Sequence, residues 1–69
     1  MKISARNLLQ GKILRITDGA VNDEIVLELS PGVEVTAIIT HASRQRLGLQ
    51  VGKPACAIIK ASDVMIGVD

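Results

Sequence analysis

The chain has 69 residues, a formal net charge of +1 and no Phe, Tyr or Trp. That length fits one domain, residues 1–69, and no more. Near-neutral charge excludes a strong electrostatic hold on nucleic acid or on an anionic membrane, and the missing aromatics remove the stacking surface that single-stranded nucleic acids and flat cofactors need.

In chain order, the opening Lys2–Asn7 reads equally well as an extra edge strand or as an arm onto a neighbour. Gly11–Thr17, with Ile13, Leu14 and Ile16, is the first predicted strand, and Asp18-Gly19 is a turn signal. Ala20–Leu29 follows. Val21, Ile25, Leu27 and Leu29 fall on its odd positions and Glu24 and Glu28 on even ones, the alternation of a half-buried strand, broken by Val26. Ser30-Pro31-Gly32 is a second turn, and Glu34–Thr40 a third strand. The period then changes. Thr40 is placed to cap a short helix over His41–Leu47, Gly48 to end it, and Arg44 and Arg46 lie near its last turn, where cations suit the helix dipole. After a turn at Val51–Pro54, the apolar run Ala55–Lys60 predicts a fourth strand and Asp63–Val68 a short fifth. This order, all-β with one short helix between strands 3 and 4, predicts a small OB-like five-stranded barrel.

So small a domain is marginal alone and needs a staple. Cys56 is the only cysteine, so no internal disulfide forms, and no Cys/His cluster offers a zinc site. Oligomerisation remains, and the 48% hydrophobic content, large for so little interior, points the same way. No apolar run approaches the ~20 residues of a membrane span. The first residues lack a signal-peptide core, and with a lone cysteine this leads us to expect a cytoplasmic protein.

Few residues can carry chemistry. Asp18, Asp23, Glu24, Glu28, Glu34, Asp63 and Asp69 are scattered, with no pairing beside a base. There is no nucleophile–base pair and no phosphate loop, so no enzyme activity is expected. His41, the single histidine, is expected to be structural or solvated, and Cys56 to be a buried small hydrophobe. What remains is a donor set: Arg6, Lys60 and the hydroxyls of Ser4, Thr40, Ser43 and Ser62. Taken singly, each has an ordinary reading, as a solvated arginine, a snorkelling lysine or a helix cap. Together they suit a small oxyanion, whose hydrogen bonds to charged donors are the strong kind.

The opening Met-Lys-Ile-Ser-Ala-Arg-Asn-Leu-Leu-Gln-Gly-Lys, the segment Ala37-Ile38-Ile39-Thr40 through Leu47-Gly48-Leu49 with Gly52, and Ile58-Ile59-Lys60-Ala61-Ser62 followed by Val64-Met65-Ile66 resemble the Mop family of molybdate-binding proteins, the molbindins or molybdenum-pterin-binding proteins. The likeness spans essentially the whole chain. It implies an OB-like barrel assembled as a hexamer, a trimer of dimers, with anions between subunits. By the same resemblance, Ser4, Arg6, Lys60 and Ala61 contact the anion from one chain, and Thr40 and Ser43 approach it from a partner chain. The turn Gly19, Ala20, Val21 and Asn22 is a candidate second anion site near a symmetry axis. His41-Ala42 and Arg44-Gln45 receive no role. The implied ligand is molybdate, with tungstate as an analogue and no organic cofactor. The implied role is cytoplasmic storage or homeostasis, with no nucleic-acid or membrane partner. The alternative is an OB-type oligomeric module for nucleic acid, protein or a pterin cofactor.

Overall fold

The computed structural model describes residues 1–69. Four strands, β1 (Asn7–Thr17), β2 (Asn22–Ser30), β3 (Val33–Thr40) and β4 (Pro54–Ile59), form one antiparallel sheet in the order β3-β2-β1-β4. A single helix, α1 (His41–Leu47), connects β3 to β4, and one 3-10 turn, Ala61–Asp63, follows β4.

β1 is the pivot. Its first half pairs with β4, from Asn7 opposite Ile59 to Lys12 opposite Pro54, and its second half pairs with β2, from Lys12 opposite Glu28 to Thr17 opposite Glu24. The handover needs the β2 backbone very close to Gly11, where a Cβ would lie 2.5 Å from the Glu28 carbonyl oxygen. Only glycine leaves that space. Two residues on, the register slips between Ile13 and Arg15, and such a bulge bends and twists the strand. The sheet therefore coils into an OB-like half-barrel instead of lying flat.

The coil encloses a small core. Ile13, Ile25 and Leu27 are buried together, with Ile16, Ile39, Leu49, Ala55 and Ala57 packed around them. Val26 is buried as well, which accounts for the broken alternation in β2: this strand is covered on both faces at its centre. The one other buried residue is Asp23.

The predicted helix and the strands around it form with small shifts of their ends. β1 begins at Asn7, four residues before the expected start at Gly11, because Asn7, Leu9 and Gly11 continue the half-buried alternation. Lys2–Arg6 forms no strand. The expected fifth strand over Asp63–Val68 also does not form. Asp63 closes the 3-10 turn, Val64 leaves it in extended conformation (φ −89°, ψ 126°), and Met65, Ile66 and Val68 are about nine-tenths exposed. A strand exists only where a neighbour takes its backbone hydrogen bonds, and within this chain none faces the segment. The β3 and β4 edges are left apart, and between them lies an apolar cavity of about 290 Å³ lined by residues such as Val35, Ala37, Leu47, Cys56 and Ile58. Cys56, expected to be buried, is half-buried on this wall.

Candidate functional site

The two groups of expected oxyanion contacts occupy different places. At the start of β1, Asn7 pairs with Ile59 and its side-chain amide donates to the Ile59 carbonyl at 3.2 Å. This closes the β1–β4 end and sets Arg6, before Asn7, beside Lys60, after Ile59. Ser4 and Ala61 lie one step further out, and all four are exposed. Neither Arg6 nor Lys60 is paired with a carboxylate; the chain's ion pairs use Arg15, His41 and Arg44. Two unneutralised cations at one strand end leave their N–H groups free for an anion.

The second group is built on the junction of β3 and α1. Thr40 is extended (φ −69°, ψ 149°) and caps the helix: its Oγ1 accepts from the Ser43 backbone N–H at 3.1 Å. The same hydroxyl donates to Ser43 Oγ at 2.8 Å. Thr40 has thus spent its proton, whereas Ser43 keeps its own, made a better donor by the bond it accepts. Gly48, in the left-handed region at φ 67°, ends the helix as the sequence predicts.

The Gly19–Asn22 turn joins this second group. Asn22 pairs with Thr40, and the His41 backbone N–H donates to the Val21 carbonyl at 2.9 Å. The turn is tight: a Cβ on Gly19 would lie 2.1 Å from the Asn22 carbonyl oxygen.

These two groups stand at opposite ends of β1. Arg6 and Lys60 flank its first residue, while its last, Thr17, pairs with Glu24 near the Asn22–Thr40 pair. Eleven strand residues at about 3.3 Å each separate the ends by roughly 30 Å before coiling, too far for one small anion to touch both.

Beside the second group is a cluster absent from the sequence reading. Asp23 has no exposed surface. Its Oδ1 accepts from the Gly19 N–H at 3.1 Å, and its Oδ2 meets His41 Nδ1 at 2.8 Å and the Arg44 guanidinium at 3.3 Å. Arg44 also pairs with Asp18. Burial pushes the Asp23 carboxyl up, but the Gly19 N–H, the His41 hydrogen bond and charge, and the Arg44 charge outweigh it and hold the group below its ordinary value of 3.8. Asp23 is therefore ionised at neutral pH. His41 does have a carboxylate partner, in a structural role, and the acids are less scattered than the sequence suggests. The signal was the β2 alternation, since Asp23 has the same parity as the inward-facing Ile25 and Leu27. Ligand atoms of Asp18, Asp23 and His41 lie within 4.8 Å of one another, but Arg44 already supplies the positive charge there.

The TOBE domain family matches residues 3–66. A probable molybdenum-pterin-binding protein from Haemophilus influenzae is 45% identical over 69 residues, all of both chains. Among solved structures, MopII from Clostridium pasteurianum superposes with a TM-score of 0.89 at 42% identity, covering 97% of this chain and 100% of its own. ModG, a cytoplasmic molybdate-binding protein solved with molybdate bound, superposes with a TM-score of 0.94 at 45% identity over 100% of this chain and 49% of its own. A chain matched end to end in both sequence and fold belongs to the TOBE domain family, among its Mop-type molybdenum-pterin-binding proteins.

Proposed function

We propose that this protein binds molybdate in the cytoplasm and holds it in reserve, unchanged, at sites shared between copies of the chain. The observation that carries the reading is the split donor set: unpaired Arg6 and Lys60 at one end of β1, and the Thr40–Ser43 hydroxyls at the other. Neither group surrounds an anion alone. Brought together by two subunits, Ser4, Arg6, Lys60 and Ala61 on one side and, on the other, Ser43 with Thr40 orienting its hydroxyl supply charged, hydroxyl and amide donors to a tetrahedral dianion. The Gly19–Asn22 turn is the second candidate site, through backbone N–H groups other than that of Gly19, which Asp23 holds.

Two features support assembly. The apolar tail Val64–Val68 is exposed, and the cavity between the β3 and β4 edges is lined almost wholly by apolar side chains. Burying both between copies supplies the staple that a four-residue apolar core does not. A hexamer, as a trimer of dimers, is the proposed form. Tungstate, of nearly the same size and charge, is expected to bind as molybdate does, and the smaller sulfate to bind more weakly. The pterin in the relatives' names would find no aromatic side chain to stack on in this chain.

Native mass spectrometry with and without molybdate, tungstate and sulfate tests the reading directly. The expected result is an oligomer that gains whole numbers of molybdate or tungstate per assembly. A monomer that takes up neither, or sulfate uptake equal to molybdate at the same concentration, would overturn it.

A further inference from the structure

We infer that Asp23 is a positioning residue for the oxyanion site, its buried carboxylate tying the Gly19–Asn22 turn to the first turns of α1 and so fixing the direction of the Thr40 and Ser43 hydroxyls. The inference rests on the function proposed above. Its basis is the placement of the partners. Each group bonded to Asp23 is within, or next in sequence to, an expected anion contact: Gly19 is in the turn, His41 follows Thr40 and Arg44 follows Ser43. Asp23 itself follows Asn22. One carboxylate thus holds two segments, the turn and α1, that have to keep a common geometry if their donors are to converge.

The chemistry requires a carboxylate. Asp23 accepts two hydrogen bonds, from one backbone N–H and one imidazole nitrogen, and pairs with one guanidinium, and an ionised carboxylate is acceptor-only and negative, as all three neighbours require. An amide of the same shape would turn an NH2 toward His41 and Arg44 or toward Gly19. The buried charge is compensated by its neighbours, so it holds the turn to the helix without leaving a free negative charge to repel a dianion. α1 has little else to hold it. It spans seven residues, none of them buried, and a helix that short does not stand by itself.

The test uses the full chain, comparing Asp23→Asn with Ile13→Val, a core change on β1 away from α1, at a temperature where both are folded. Molybdate affinity is read by calorimetry and amide protection by hydrogen exchange. Asp23→Asn is expected to bind molybdate about tenfold more weakly, the scale of one lost hydrogen bond to a charged group. It should also lose protection at the Gly19, His41 and Ser43 amides, while Ile13→Val keeps both. If Asp23→Asn does not fold, His41→Gln and Arg44→Gln each remove one partner and leave the carboxylate in place, and each is expected to show the same two changes to a smaller degree. Wild-type affinity in the folded Asp23→Asn protein, or in both substitutes where it does not fold, would overturn the inference. So would unchanged Ser43 protection. If the wild-type protein takes up no molybdate, the proposed function fails first, and the exchange measurement still decides whether Asp23 fixes the cap.

Discussion

A carboxylate without exposed surface remains ionised only because its surroundings outweigh the loss of water, and that balance depends on pH. Asp23 has its carboxyl held below 3.8 in the folded protein. A carboxyl lowered by folding adds stability that is complete above its unfolded value and is lost as pH falls through its folded value. In thermal melts, the difference between wild type and Asp23→Asn should therefore shrink as pH falls below about 4. A difference that stays the same down to the lowest measurable pH would contradict the ionised assignment. Arg6 and Lys60 make a contrasting pair of charges. Both are exposed and unpaired, so neither is holding the fold together. Arg6→Ala and Lys60→Ala should each leave circular dichroism and melting nearly unchanged, while weakening molybdate binding by about 1.5–3 kcal/mol, the usual worth of a hydrogen bond to a charged group. Equal affinity in both variants and wild type, by calorimetry, would remove them from the site.

At the scale of elements, β1 and the β3–α1 junction fix everything else. Gly11 lets β1 pass from β4 to β2, and a methyl group there meets backbone, which cannot move aside as a side chain can. Gly11→Ala should destabilise the protein by about 1–3 kcal/mol in urea unfolding, the range for overpacking a close contact. Thr40→Ala should cost about 1 kcal/mol through loss of the cap, and Thr40→Ser, which keeps the hydroxyl, distinctly less. The legibility of these elements in the sequence follows from how local their causes are. The helix was readable to its ends because Thr40 and Gly48 act on their own neighbours. β2 was readable from alternation, β3 from its run of Val and Ile, and both from the Pro31-Gly32 turn between them. Gly11 was misleading: it looked like a strand boundary and is in fact mid-strand, since its reason for being glycine is a chain segment 17 residues away. The Asp23 network was invisible for the same reason. Asp18, Asp23, His41 and Arg44 are separated by loops and strands, and only the pairing of Asn22 with Thr40 brings them together. For the donor set, the residues were recognisable from their types and the family likeness, but their division between the two ends of β1 required the register.

For the whole molecule, the governing fact is incompleteness. The sheet leaves β3 and β4 as separate edges, and the segment predicted as a fifth strand lies exposed beside the body of the protein. Such an arrangement is unfavourable for an isolated chain and reasonable for one whose apolar surface is covered by others. Ile66, 88% exposed, makes no contribution to the core of one copy. Ile66→Asp should therefore leave the strand signal in circular dichroism intact while shifting native mass spectra or light scattering toward smaller species. Retention of the wild-type mass would show that the tail is not part of the assembly surface. A further consequence comes from the roughly 30 Å that separates the two halves of the donor set along β1. Where each copy owns only half of a receptor, diluting the protein dissolves the receptor itself. In the proposed shared-site arrangement uptake capacity climbs more steeply than the number of chains present, and because the anion itself favours the joined form, a trace of the protein needs more anion to load than an abundance of it does.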